Sequence, residues 1–197
     1  MVKSAKGTQT EKNFLTAFAG ESQARTRYTF FASQARKKGY EQIANVFTET
    51  AGNEREHAEV FFKYLEGGDV ETTGAYPGGT IGNTLTNLKA APDGEKMEWS
   101  KIYADFEKTA GDEGFGDIAN SFKEIAEVEE FHESRYRKLA ANVASGEVFK
   151  KKAVVKWHCT NCGYVHEGRE APKECPACKD AQAYYELLAD NHKHRLM

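Results

Sequence analysis

The sequence predicts a mainly α-helical fold, a four-helix bundle with one long crossover, followed by a small β-rich domain held together by metal. Three observations carry this. Apolar residues recur at helical spacing through long stretches before residue 146, the motif Glu-x-x-His occurs twice inside such stripes, and all four cysteines fall between residues 159 and 178. The expected division is a bundle over 1–146, then a linker and metal domain over 147–197.

Thr8, followed three positions on by Glu11, reads as a capping box that opens a first helix. Phe14, Phe18, Tyr28 and Ala32 continue its apolar stripe to a stop near Gly39, and Glu21 lies on that stripe. A second helix is expected over residues 40–66, ended by Gly67-Gly68, with Ile43, Phe47, Ala51, Phe61 and Leu65 on its inward face. So short a connection makes the two helices antiparallel neighbours. Gly52 weakens the second by up to ~1 kcal/mol relative to Ala.

Residues 67–82 are rich in Gly and Thr, contain Pro77 and lack a helical period, so they read as the crossover. A short helix is expected over 84–91. Pro92-Asp93-Gly94 should then reset the chain before a third long helix carrying Glu95, Glu98, Ile102 and Phe106. A turn over 111–116 leads to a fourth helix over 117–145, closed by Gly146, with Ile118, Phe122, Ile125, Tyr136, Leu139 and Val143 inward. Beyond it, Val154 to Trp157, Gly163 to His166 and Tyr184 to Leu187 are short strand-like runs around the cysteines. So small a domain cannot hold a core alone, and bound metal would supply the missing folding free energy.

Composition excludes several classes. The net charge of −3 with interspersed signs offers no basic stripe for nucleic acid. Met1 to Thr10 has no apolar signal core, and no run reaches the ~20 apolar residues a membrane helix needs. A cytoplasmic protein is therefore expected, and in that compartment paired cysteines point to metal rather than disulfides.

The metal-binding signal starts with Glu54 and His57, which recur as Glu129 and His132. Positions three apart share one helix face, so each pair can offer two ligands to one ion. Glu21 precedes Glu54 by 33 residues and Glu95 precedes Glu129 by 34, which doubles a metal-binding half. All these residues fall within apolar stripes, where an unpaired carboxylate is costly unless it is neutralised, paired or bound to metal. A single such motif on a charged helix is usually solvated surface. Two copies in matching stripes reverse that expectation. Two lone Glu residues and two Glu-x-x-His motifs are the ligand set of two-metal helical bundles.

Cys159-x-x-Cys162 and Cys175-x-x-Cys178 suit one tetrahedral ion, and the spacing alone admits zinc or iron. The wording around them is more specific. Cys159-Thr160-Asn161-Cys162-Gly163-Tyr164, with Cys175-Pro176-Ala177-Cys178, resembles the iron-binding knuckles of rubredoxin. Together with Gly20-Glu21-Ser22-Gln23-Ala24 and the two Glu-x-x-His motifs, nearly the whole chain resembles the rubrerythrin family, a ferritin-like bundle joined to a rubredoxin-like domain.

That resemblance implies a non-haem peroxidase that reduces hydrogen peroxide to water in protection against oxidative stress. Its implied cofactors are a carboxylate-bridged pair of iron ions and one Fe(Cys)4 centre per chain. Glu54 and Glu129 would bridge, Glu21 and Glu95 would be terminal, and His132 would hold one iron throughout. Glu98 and His57 would exchange on the other. Hard ferric iron favours the anion, so the direction is chemically sensible. Tyr28 and Tyr103 match positions that offer phenols to the carboxylates, although core aromatics with a bonded hydroxyl read equally well. The implied partners are an electron-donating reductase or rubredoxin and further copies of the chain, as a homodimer or larger, with no nucleic acid and no membrane. The alternative is a ferritin-like iron oxidation or storage protein with a zinc-ribbon tail. Glu56, Glu127, Glu130 and Glu133 read as surface or supporting residues, and His158, His166, His192 and His194 as surface.

Overall fold

The computed structural model describes residues 3–189. Helix α1 (Gln9–Lys37) opens as expected, with the Thr8 hydroxyl oxygen accepting the Glu11 N–H at 3.2 Å. The Glu11 carboxylate turns back one residue further than the capping-box pattern, to the Gly7 N–H at 2.7 Å. The helix ends before Gly39, whose φ of +75° is a left-handed turn that glycine takes without a Cβ clash. Helix α2 (Glu41–Phe62) returns antiparallel to α1 and packs along its length.

Two expectations are corrected here. α2 stops at Phe62, short of residue 66, because the next side chains bind elsewhere: Tyr64 pairs with Ser121 at 2.8 Å, and Glu66 accepts the Ala5 N–H at 2.9 Å. The chain also does not reset at Pro92. Helix α3 (Thr84–Met97), capped by the Asn83 side chain on the Thr86 N–H, runs straight through it. Leu88, Ala91 and Glu95 form a buried stripe along α3, which packs on α5 (Gly116–Ala144). Burial of that stripe offsets an interior proline cost of roughly 3 kcal/mol.

The interruption comes later, as a π segment over Glu98–Ile102, before α4 (Tyr103–Asp112). Within it the Tyr103 N–H bonds the Glu98 carbonyl, five residues back. Such a wide turn inserts one residue into a helix and is frequent at functional sites. α3, the π segment and α4 together act as the third helix of the bundle.

The interior holds two aromatic cores. One gathers Tyr28, Phe31, Phe47, Leu88 and Tyr136, the other Phe14, Phe61, Tyr103 and Phe122. Tight ring pairs join each, such as Phe47 with Tyr136 at 4.9 Å and Phe61 with Phe122 at 4.9 Å. Glu54 and Glu129 lie in sequence between residues of the two cores, so the polar cage is flanked by apolar packing along the bundle.

The small domain is a three-stranded antiparallel sheet in the order β2 (Val165–Glu170), β1 (Lys150–Cys159), β3 (Tyr185–Leu187), over a core of Trp157, Ala171 and Tyr185. Its two cysteine loops repeat one geometry. The Gly163 N–H bonds the Cys159 carbonyl at 2.8 Å and the Lys179 N–H the Cys175 carbonyl at 2.9 Å, and both residues are left-handed. The domain rests on the α1–α2 turn, where Phe149 stacks on Tyr40 at 6.0 Å.

Candidate metal centres

The bundle positions its candidate ligands by periodicity. Glu54 and His57 share the inner face of α2, and Glu129 and His132 that of α5, while α1 contributes Glu21 and α3 contributes Glu95. All six are buried, none more than 9% exposed. Their donor atoms form two sets, Glu21, Glu54, His57 and Glu129, and Glu54, Glu95, Glu129 and His132. Within each set the atoms lie within 4.8 Å of one another, and Glu54 and Glu129 belong to both.

The two sets mirror each other. His57 Nδ1 lies 2.8 Å from Glu129, 3.0 Å from Glu54 and 3.8 Å from Glu21. His132 Nδ1 lies 2.7 Å from Glu129, 3.4 Å from Glu54 and 4.0 Å from Glu95. Burial disfavours a charged imidazole, yet the hydrogen bond to Glu129 and the nearby Glu54 carboxylate raise His132 to about 9. His57 is raised further, burial being outweighed by Glu129, Glu21 and Glu54. Glu129, between both rings, is brought down to about 2 despite burial. Glu21 goes the other way, to about 8, through burial and the Glu129 charge, and burial also pushes Glu95 well up.

Two imidazoles cannot satisfy so many oxygens. Among the described residues, Glu21 Oε2, both Glu54 oxygens and Glu129 Oε1 are buried without a hydrogen bond. Each such group costs on the order of 1–3 kcal/mol or more if left alone. A pair of cations, one in each set, removes that cost. The residues present therefore fit a dinuclear metal site.

The outer carboxylates are held by phenols. Tyr28 donates to Glu95 and Tyr103 to Glu21, and both rings are 1% exposed. The two readings of these tyrosines thus coincide, since each is a core aromatic and a partner of the cage.

Glu98 stands apart from both ligand sets. Its carboxylate faces Gly20, where an added Cβ would lie 3.9 Å from Glu98 Oε1 and 3.6 Å from the Tyr76 ring. Burial and the charges of Glu21, Glu129 and Glu54 hold its carboxyl well above the ordinary range. A cavity of about 480 Å³ lies beside it, walled by Ala17, Tyr76, Met97, Ile102 and Phe106 and reaching Tyr103. Glu98 thus shares a wall of this cavity with Tyr103, the phenol that holds Glu21.

In the small domain Cys159 Sγ lies 3.8 Å from Cys178 Sγ, and Cys162 Sγ 3.7 Å from Cys175 Sγ. A tetrahedral ion with metal–sulfur bonds of ~2.3 Å requires sulfur–sulfur edges of about 3.8 Å. Those two pairs are already at that spacing, and all four sulfurs lie within 4.8 Å of one another. Burial would raise Cys175, but the Cys178 amide, the Tyr185 hydroxyl and the Ala177 amide facing it bring it down to about 6, which favours the thiolate that binds metal.

Of the residues read as surface, Glu56, Glu127 and Glu130 are exposed. His158 faces Glu186 at 3.7 Å, and His166 is half-buried on β2. His192 and His194 lie outside the described residues. Glu133 is different, because it accepts the Trp99 indole N–H at 2.7 Å and the Arg137 Nε–H at 2.6 Å. Sequence reading singled out neither Trp99 nor Arg137. The available signal was an indole beside Glu98, whose N–H needs an acceptor when half-buried.

The rubrerythrin family profile matches residues 12–140, and the profile described as the rubrerythrin, rubredoxin-like domain matches 157–186. The rubrerythrin of Porphyromonas gingivalis is 55% identical over 192 residues, covering 98% of this chain and 96% of that protein. Among solved structures, fully reduced, all-ferrous nigerythrin superposes with a TM-score of 0.63 at 29% identity, over 95% of this chain and 91% of that one. A bacterioferritin from Desulfovibrio desulfuricans superposes with a TM-score of 0.54 at 19% identity, over 72% and 87%, which shows a shared fold. The molecule thus combines a ferritin-like bundle carrying a dinuclear carboxylate–histidine site with a rubredoxin-like four-cysteine site.

Proposed function

The chain belongs to the rubrerythrin family, and from that premise we propose that it is a peroxidase reducing hydrogen peroxide to water. One observation carries the reading: a two-ion cage and a four-thiolate site stand in a single chain, which joins a place for two-electron chemistry to a one-electron relay. Glu21, Glu54, His57 and Glu129 would hold one iron, Glu54, Glu95, Glu129 and His132 the other, and Cys159, Cys162, Cys175 and Cys178 a third. When bound, the paired irons supply one electron each to peroxide, and the thiolate iron restores them singly.

The protein's own residues set the conditions. Tyr28 and Tyr103 orient the outer carboxylates, and the two aromatic cores keep water from the cage. The cavity beside Glu98 admits a small neutral molecule. Glu98, which lines that cavity, would hand a proton to the leaving oxygen. His57 and Glu98 would alternate as ligands of one ion; His57 belongs to a ligand set and Glu98 stands outside both.

Electrons enter at the tail from a reductase or a rubredoxin. The tail meets its own bundle at Gly39 and Tyr40, about 20 Å along α2 from Glu54 at the standard helical rise. A homodimer or larger assembly that lays each tail against a partner's cage shortens that path. No described helix is long and apolar enough to cross a membrane, and the mixed charge favours no nucleic-acid partner.

The test is an absorption spectrum with iron and zinc counts, followed by peroxide consumption under a supplied reductant. One iron for each of the three ligand groups, with a thiolate–iron band that bleaches on reduction, supports the reading. A colourless zinc tail with iron uptake beyond the cage instead establishes the storage alternative.

A further inference from the structure

The π segment that carries Glu98 is tied to α5 by one side-chain hydrogen bond. Trp99, next to Glu98, donates its indole N–H to Glu133 Oε2 at 2.7 Å, and Glu133 directly follows His132. The other Glu133 oxygen accepts the Arg137 Nε–H at 2.6 Å, and Arg137 reaches back to Asp93 at 3.4 Å, two residues before Glu95. The network thus grips the third helix on both sides of Glu95 and Glu98. It anchors that grip on the turn of α5 that presents His132.

The remaining polar side chains of the segment bond only nearby. Ser100 donates to the Lys96 carbonyl and Lys101 to Asp105. Among the described residues, Trp99 alone in this segment has a side-chain hydrogen bond to another helix. A π turn is poorly determined by its own backbone bonds, so its position depends on outside support. An indole offers one donor and no acceptor, and a carboxylate partner makes that bond charge-assisted. Arg137 balances the Glu133 charge, so the anchor adds little to the negative potential of the cage.

We propose that Trp99 and Glu133 are positioning residues for Glu98: their hydrogen bond holds the π backbone still, so the Glu98 carboxyl moves between cavity and cage by side-chain rotation alone. This rests on the role given to Glu98 under the peroxidase reading. Without the bond the segment slackens, and the carboxyl no longer arrives at a fixed place. Misplacement of about 1 Å in a reacting group can lower a rate by up to roughly a hundredfold.

The experiment uses the iron-loaded full chain with Trp99→Phe, Glu133→Ala and Glu133→Gln, each alone and combined with Glu98→Ala. Trp99→Phe and Glu133→Ala are expected to slow peroxide turnover about tenfold while retaining iron, whereas Glu133→Gln, which keeps a carbonyl acceptor, stays within about twofold. In the Glu98→Ala background the Trp99→Phe effect should fall below about twofold, because residues acting through one another are not additive. An undiminished tenfold effect there, or equal losses from Glu133→Gln and Glu133→Ala, overturns the proposal. Hydrogen exchange of amides 98–102 in the metal-free protein gives a readout independent of activity. Exchange is expected to quicken about tenfold in Trp99→Phe with α1 and α2 unchanged. Unaltered exchange over 98–102 defeats the proposal whatever the activity, while failure of the unsubstituted protein to consume peroxide defeats the functional reading instead.

Discussion

The Tyr103 hydroxyl on α4 donates to the Glu21 carboxylate on α1, and its counterpart Tyr28 on α1 donates to Glu95 on α3. Tyr28 follows Glu21 by seven residues, but Tyr103 follows Glu95 by eight. The additional residue is absorbed by the π turn, which keeps both phenols in register and frees Glu98 to sit beside the cavity. The unequal spacings of 33 and 34 between lone and paired ligands have the same origin.

Removing either phenol tests their shared role. Tyr28→Phe and Tyr103→Phe should each cost about 1–3 kcal/mol, since a buried carboxylate loses its donor while the ring still packs. Both variants should bind iron. A pair of denaturation curves on metal-free protein checks this, and similar losses at the two sites are expected from their similar surroundings.

The ligand sets separate Glu54 from Glu98. Glu54 belongs to both sets, so Glu54→Ala should lose the paired irons outright. Glu98→Ala should keep the fold and most of the iron but slow peroxide turnover. Iron counts and turnover on the same two preparations decide it, and equal values for both variants would contradict the division of roles.

Glu113 provides a pH prediction away from the cage. Its carboxylate caps α1, accepting the Thr10 N–H at 2.9 Å and the Gln9 N–H at 3.2 Å, together with the Thr10 hydroxyl. Hydrogen bonding from Thr10 holds it below its ordinary 4.5. A depressed folded value means that this stabilisation is present above about pH 4.5 and is lost as pH falls through the folded value. Glu113→Gln should therefore be less stable than the unsubstituted protein by about 0.5–1 kcal/mol at pH 7. Urea curves for the pair at falling pH should show that gap closing below pH 4.5.

Transfer between subunits can be tested by mixing two inactive variants, Glu54→Ala with an empty cage and Cys159→Ser with a disabled tail. If each tail faces a partner's cage, a mixed dimer formed by subunit exchange would hold one intact tail facing one intact cage, and activity should return. No recovery, despite exchange shown by mass spectrometry, would place the electron path within a single chain.

Much of this molecule is local and so could be read from the chain itself. The stripes through Phe47 and Phe122, the glycine stop at Gly39, the Glu-x-x-His pairs and the cysteine spacing each depend on residues a few positions apart, whose geometry is set by helical or turn periodicity. Tertiary structure decided what depends on distant partners. α3 continues through Pro92 because its stripe is buried on α5, and α2 ends at Phe62 because Tyr64 and Glu66 bind Ser121 and Ala5. The two phenols acquire their carboxylates across 67 and 82 residues, and Trp99 its acceptor across 34. Those pairings follow from which helix faces pack together. Periodicity gives each helix an inner face but leaves open which residue of a neighbour meets it, and that register places Glu98 outside the ligand sets with Trp99 anchored beside it.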